Sequence, residues 1–241
     1  MVGVALLDGS AQHPRGYCGG TALSSSGIYW ARFEERHGSL WRFDTRIYAE
    51  AIDGPRRGDR PVGCIVGKNP GSALPAEGLR PGKGRAALQA IELGSDRFLP
   101  TVRAVLRKSH IEAGLVWPAR SYVLVLNLFY LCNRDLRGAK RALAAVEAPP
   151  ICPAERRPTP WTWLAWGGPD AQLEPLRARF RRRRRAQPFF VDTKKGSLEQ
   201  RVPAASDFAR HTQGMAHDEI VAFLAARLMG MADSPGIRRA R

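Results

Sequence analysis

The sequence predicts an α/β domain, a central and mostly parallel sheet between two helical layers, with a β-hairpin at its amino-terminal side. Three observations predict it. Short apolar runs at 62–66, 122–128, 161–166 and 189–191 show almost no polar alternation, as strands covered on both faces do. Amphipathic segments at 100–110, 136–146, 170–185 and 217–229 lie between or after them, and strands alternating with helices imply parallel crossovers. Asn69 follows the first apolar run and Asn127 lies within the end of the second. Sheets of this class bind ligands beyond the carboxyl ends of their strands.

In chain order, residues 1–27 are rich in Gly and Ser and read as a loosely ordered arm ahead of one domain, 28–241. Aromatic and β-branched residues recur on either side of His37-Gly38-Ser39, predicting a hairpin of 28–33 with 40–48. A polar loop, 53–61, leads to the strand at 62–66. Residues 72–98 are Gly-rich, with one helical turn expected near 86–93. A helix is expected from Pro100 to His110, because proline is favourable in a first turn. The segment 170–185 reads as a helix ending in five arginines, and 217–229 as a closing helix with acids in its first turn and Gly230 at its end.

The chain has 241 residues, enough for one well-buried domain or at most two small ones. Its 38 Lys and Arg stand against 22 Asp and Glu, a net charge of +16. Such a surplus, mostly arginine, points to a polyanionic partner, although a GC-rich genome also inflates arginine. None of Cys18, Cys64, Cys132 and Cys152 forms a C-x-x-C pair, which argues against a zinc ribbon. No signal peptide is evident, and the longest apolar run is too short to cross a bilayer. The expected compartment is a reducing, bacterial-type cytoplasm; no metal or cofactor and no membrane partner are expected.

Two segments carry candidate chemistry. In Gly67-Lys68-Asn69-Pro70-Gly71 a buried strand ends in a tight turn, with glycines that let backbone approach a ligand. Pro70 stiffens the turn, and the Asn69 amide can hold a water. The same tripeptide is also ordinary turn punctuation. Asn127 places a second amide at a strand end, suited to a base edge, and Phe129 or Tyr130 offers a stacking face. The alternative is a loop-capping Asn. The run Arg181, Arg182, Arg183, Arg184, Arg185 reads as a solvated helix end or, on a DNA-binding protein, as a phosphate contact extended by Lys194 and Lys195. His211 is either a surface residue or a donor to a leaving group, with His217 as its rival.

The form Gly67-x-Asn69-Pro70-Gly71 resembles the first motif of the mismatch-specific branch of the uracil-DNA glycosylase superfamily, and Leu126-Asn127 resembles its base-reading strand. A closer resemblance is to a bacterial domain family of unknown function. Its order is matched by Asn69-Pro70-Gly71-Ser72-Ala73, Pro100-Thr101-Val102-Arg103, Asn127-Leu128-Phe129, Trp166-Gly167, Thr193-Lys194-Lys195-Gly196 and His211. The match spans about 62–215. Leu99 departs from that family's Asp, with Asp96 three residues earlier, and Thr212 from its Pro after the His. The amino-terminal paired cysteines of the iron–sulfur glycosylases are missing, so no cluster is expected.

The resemblance implies a uracil-DNA-glycosylase-like fold and a DNA glycosylase acting on a flipped-out base. It assigns Asn69 to the water, Asn127 and Phe129 to the base with Lys68, Pro70 and Gly71 beside it, His211 to the departing base, and Met215 to a wedge in the duplex. The implied substrate is a modified base such as a hypermodified phage cytosine, in antiviral defence. The alternatives are uracil or mismatch repair, a non-catalytic DNA-binding module of the same fold, or an enzyme of free modified nucleotides.

Overall fold

The computed structural model describes residues 27–36, 38–76, 87–182, 186–212 and 214–232. The arm at 1–26, the hairpin residue His37, part of the Gly-rich stretch (77–86) and Arg183, Arg184 and Arg185 lie outside them. In chain order the described elements are β1 (Gly27–Arg36), β2 (Ser39–Ile52), β3 (Arg60–Gly67), β4 (Leu74–Pro75), β5 (Gln89–Glu92), α1 (Phe98–Glu112), β6 (Ser121–Asn127) and α2 (Leu136–Ala144). A 3-10 turn (Pro153–Arg156) precedes β7 (Thr162–Leu164), α3 (Glu174–Arg182), β8 (Pro188–Val191), β9 (Leu198–Glu199) and α4 (Asp218–Ala232).

The strands form one mixed sheet in the order β4-β5-β1-β2-β6-β3-β7-β8-β9. Its centre, β6-β3-β7-β8, is parallel, and the strands to either side are antiparallel. The expected hairpin is β1 and β2, with Arg36 opposite Ser39. Between the pairs Trp30–Arg46 and Arg32–Phe43 the register shifts, and Asp44 takes a positive φ of 46° there. That bulge turns the Asp44 carboxylate towards Arg46 and Arg157, at 2.9 and 3.0 Å, which offsets its backbone strain.

Alternate residues of the central strands feed two separate cores. Cys64, Val66, Leu124 and Leu126 face α2 and α3, through Ala139, Leu143 and Phe180. Ile65, Val123 and Val125 face α1 and α4, through Leu99, Val102, Leu106, Ile220 and Leu224. Every residue of β6 is buried, which is why its sequence lacks polar alternation.

Several boundaries differ from expectation. Residues 86–93 hold no helical turn where described; β5 is a strand there, because the open edge of β1 offers partners at Trp30 and Ala31. Helix α1 begins at Phe98 rather than Pro100, since the Asp96 carboxylate accepts from the Phe98 and Leu99 amides at 2.8 and 3.4 Å; Pro100, in the first turn, has no donor to lose. Asp170 caps the approach to α3, which starts only at Glu174. Gly230 does not end α4: it lies inside the helix, without the positive φ a glycine cap requires. Among the described residues no helix is long and apolar enough to cross a membrane.

The connection leaving β3 enters α1 on one face, whereas that leaving β6 enters α2 on the other. The two chains therefore part at the carboxyl ends of neighbouring parallel strands, and a crevice must open between them. The close packing beneath it is testable at Gly63. A Cβ there would fall 2.0 Å from the buried indole of Trp161. Gly63→Ala is expected to cost roughly 1–3 kcal/mol or more in denaturant unfolding, and clearly less in a Trp161→Leu background, as coupled neighbours behave.

Candidate functional site

Gly67 ends β3 directly opposite Asn127, the last residue of β6. The pairing continues into the following turns, with the Leu128 amide on the Gly67 carbonyl at 3.0 Å and the Phe129 amide on Lys68 at 3.4 Å. A Cβ on Gly67 would lie 3.0 Å from the Asn127 amide and 3.5 Å from the Phe98 ring. The first distance is tighter than ordinary contact and the second is not, so the glycine makes room for the amide beside the ring. Pro70 is buried, and Gly71 turns the chain at a φ of 72°.

Each Asn is oriented by backbone. Asn69 donates through Nδ2 to the Asn133 carbonyl at 3.1 Å, so Oδ1 is the end that can accept from a water. The Asn127 nitrogen donates to the carbonyls of Asn69 at 3.2 Å and Leu126 at 3.3 Å. Both its amide hydrogens are then engaged, and Asn127 offers a ligand its oxygen alone. The forked donor-and-acceptor edge expected of it is not available in this arrangement.

Around these amides lies a cleft of about 470 Å³, within the usual range for small-ligand sites. Gly67, Lys68, Asn69, Pro70, Gly71 and Ser72 form one wall, and Ser95, Asp96, Arg97 and Phe98, at the start of α1, form another. Asn127, Arg134 and His211 complete it. His211 is carried in because Ala209 bridges Gly167 and Asp192 beyond β7 and β8, while the Arg210 amide bonds Val191. Its ring stands 5.1 Å from that of Phe98. Burial holds the His211 imidazole below its ordinary value; the charge of Lys68 adds to this and Asp96 opposes it. Burial likewise pushes the Lys68 ammonium down, against Asp170. The imidazole is therefore neutral near pH 7, beside a cation that is only partly solvated.

Six of the expected residues meet here: Lys68, Asn69, Pro70, Gly71, Asn127 and His211. Phe129 does not. It is 2% exposed and belongs to the core between the sheet and α2–α3. The chain after β6 is pinned inward by Arg179, which donates to the Leu128 carbonyl and to Glu155, and by Tyr130, which donates to Glu155. The ring facing the cleft is that of Phe98. Met215 does not project as a wedge; it is half-buried against the core beneath α1 and α4. His217 is a structural residue, bonding the Thr212 carbonyl at 2.8 Å.

Arg181 pairs with Glu174, and Arg182 is exposed. Pro188, which opens β8, is opposite the first residue of β7, at the amino edge of the sheet rather than the cleft edge; Arg183, Arg184 and Arg185 lie outside the described residues. Lys194 and Lys195 follow the carboxyl end of β8 and are exposed; Lys195 pairs with Glu199 at 3.0 Å. The lining residues not singled out from sequence are Ser72, Ser95, Asp96, Arg97, Phe98 and Arg134. A signal for the α1 group did exist. A helix following a parallel strand starts at the carboxyl edge, so its capping residues border the crevice.

Among the described residues no three His, Cys, Asp or Glu side chains gather as a metal site. No protein-family model matches the chain, and comparisons with curated proteins and with solved structures find no match either.

The electrostatics of the cleft are testable by NMR titration of His211. Its midpoint is expected below 6.5, the ordinary value, and Lys68→Met should raise it. An unmoved midpoint would leave burial as the whole cause. As pH falls below 6.5 the unfolded chain takes this proton first, so His211 disfavours folding on acidification until the folded imidazole is protonated too.

Proposed function

We propose that this chain is a DNA glycosylase, hydrolysing the bond between sugar and base of a nucleotide flipped out of DNA. One observation carries the reading. Two backbone-oriented amides, a neutral imidazole, an ammonium and an aromatic ring, drawn from four separate segments, converge on one cleft at the carboxyl edge of a parallel sheet. Breaking a glycosidic bond requires a held water, a pocket for the base and donors towards the charge the base acquires as it leaves. In this reading Asn69 Oδ1 accepts from the attacking water. The base lies against Phe98 and offers an N–H to Asn127 Oδ1. His211 donates to the departing base, and Lys68 adds positive potential.

The resemblance of the Asn69-Pro70-Gly71 and Asn127-Leu128-Phe129 segments to the uracil-DNA glycosylase superfamily supports the same reaction and a fold of that type. DNA as partner is supported by the net charge of +16 and by exposed Arg97 and Arg134 on the cleft wall. Lys194 and Lys195, exposed beyond the carboxyl end of β8, would extend the phosphate track. A wide, polar cleft favours a modified base with polar substituents, such as a hypermodified cytosine of phage DNA, over a tight uracil slot.

The test is incubation with genomic DNAs carrying different modified or mismatched bases, with mass spectrometry of what is released. Asn69→Ala should slow single-turnover release by about 10²-fold or more while leaving unfolding and DNA affinity nearly unchanged. Release at the full rate would move the water site elsewhere, and no release by the unaltered protein from any of these DNAs would leave a binding module. Replacing Arg97 and Arg134 by Gln should weaken binding to all sequences and flatten its salt dependence by about one unit of slope for each phosphate left without its cation. An unchanged slope would remove the cleft wall from the DNA track.

A further inference from the structure

Among the described residues lining the cleft, Asp96 is the only carboxylate. Its side chain is 7% exposed. Oδ1 is occupied by the Phe98 and Leu99 amides. Oδ2 accepts no hydrogen bond from the described residues; Arg42 Nη1 stands 3.7 Å away, an ion pair too long for one. That guanidinium is itself buried, with Nε and Nη1 lacking hydrogen-bond partners. Capping α1 needs only one neutral acceptor, which Asn or Ser would supply equally well. The buried Arg42 guanidinium supplies one reason for a charge at Asp96, but at 3.7 Å it leaves Oδ2 without a hydrogen-bond donor on the wall of the cleft.

We propose that Asp96 is a further catalytic residue of this site, its Oδ2 serving the water that attacks the sugar. The proposal rests on the glycosylase reading. The C1′–N bond breaks with its electron pair leaving to the base, and C1′ becomes positive. The water oxygen forms the new C1′–O bond. Its proton passes to Asp96 Oδ2 and on to solvent, and the base anion takes a proton from solvent. A fixed negative charge in a partly dry cleft also stabilises the cationic sugar more than bulk water would. Asn69 and Asp96 divide the work: the amide places the water, and the carboxylate takes its proton.

Asp96→Asn separates chemistry from capping, because the amide oxygen can still accept from the α1 amides. With an oligonucleotide carrying a base that the wild type releases, this variant should lose about 10²-fold or more in single-turnover rate with duplex affinity retained; losing the charge opposite buried Arg42 lowers its unfolding midpoint, so rates are compared at a temperature where both proteins are folded. Asp96→Ala should be slow too, and formate, a small carboxylate able to enter the vacated space, should restore part of its rate. A wild-type rate in Asp96→Asn would overturn the proposal and leave the glycosylase reading standing. Absence of release by the wild type from every DNA would overturn both. Should Asp96→Asn prove unstable, the formate experiment decides, and failure of rescue in folded Asp96→Ala counts against the proposal.

Discussion

Two adjacent parallel strands, β3 and β6, are buried along both faces, and the cleft is a consequence of how they end. Inside the sheet their side chains must be apolar, because helices cover them above and below. At their carboxyl ends the chain leaves β3 for one helical layer and β6 for the other. Polar side chains become tolerable only there, and Gly67 opposite Asn127 is where that change occurs. A Cβ on Gly67 would crowd the Asn127 amide at 3.0 Å while meeting the Phe98 ring at an ordinary contact distance of 3.5 Å, so the missing Cβ chiefly makes room for the amide.

The cleft's chemical character follows from desolvation more than from any single contact. Lys68 and His211 are each shifted mainly by burial. Each also feels charges supplied by other elements: Asp170 and Lys140 act on Lys68, while Lys68 and Asp96 act on His211. The amides are held more rigidly, because backbone carbonyls take their donors. Fixed dipoles in a partly water-excluded space are the usual means of stabilising charge that develops during a reaction.

Much of this site was legible in the sequence, and the parts that were not share a cause. Asn69 and Asn127 could be read because each directly follows or ends an apolar run whose length marks a buried strand. His211 stood out only by its motif order, and its entry into the cleft depends on a bridge through Ala209 that no local pattern signals. Phe129 was misleading. Its neighbours Leu128 and Tyr130 are drawn inward by Arg179 and Glu155, and the ring faces the core. Phe98 and Asp96 looked like loop residues ahead of a helix expected at Pro100, because the cap that starts the helix earlier is a side-chain bond.

By itself the sequence determined the α/β class, the hairpin, the central parallel strands and the positions of the two amides, since apolar runs and helical periodicity are local and repeat over many residues; that the sheet as a whole is mixed it did not determine. Element ends at the sheet margins escaped it. Whether residues 89–92 become strand or helix depends on the free edge of β1, and helical tendency in so short a segment is weak. Tertiary structure alone decided which ring faces the cleft, which oxygen of each amide is free, and that a carboxylate near the start of α1 joins them. Those choices turn on distances between segments remote in the chain, and only the packing of the two helical layers on the sheet sets such distances.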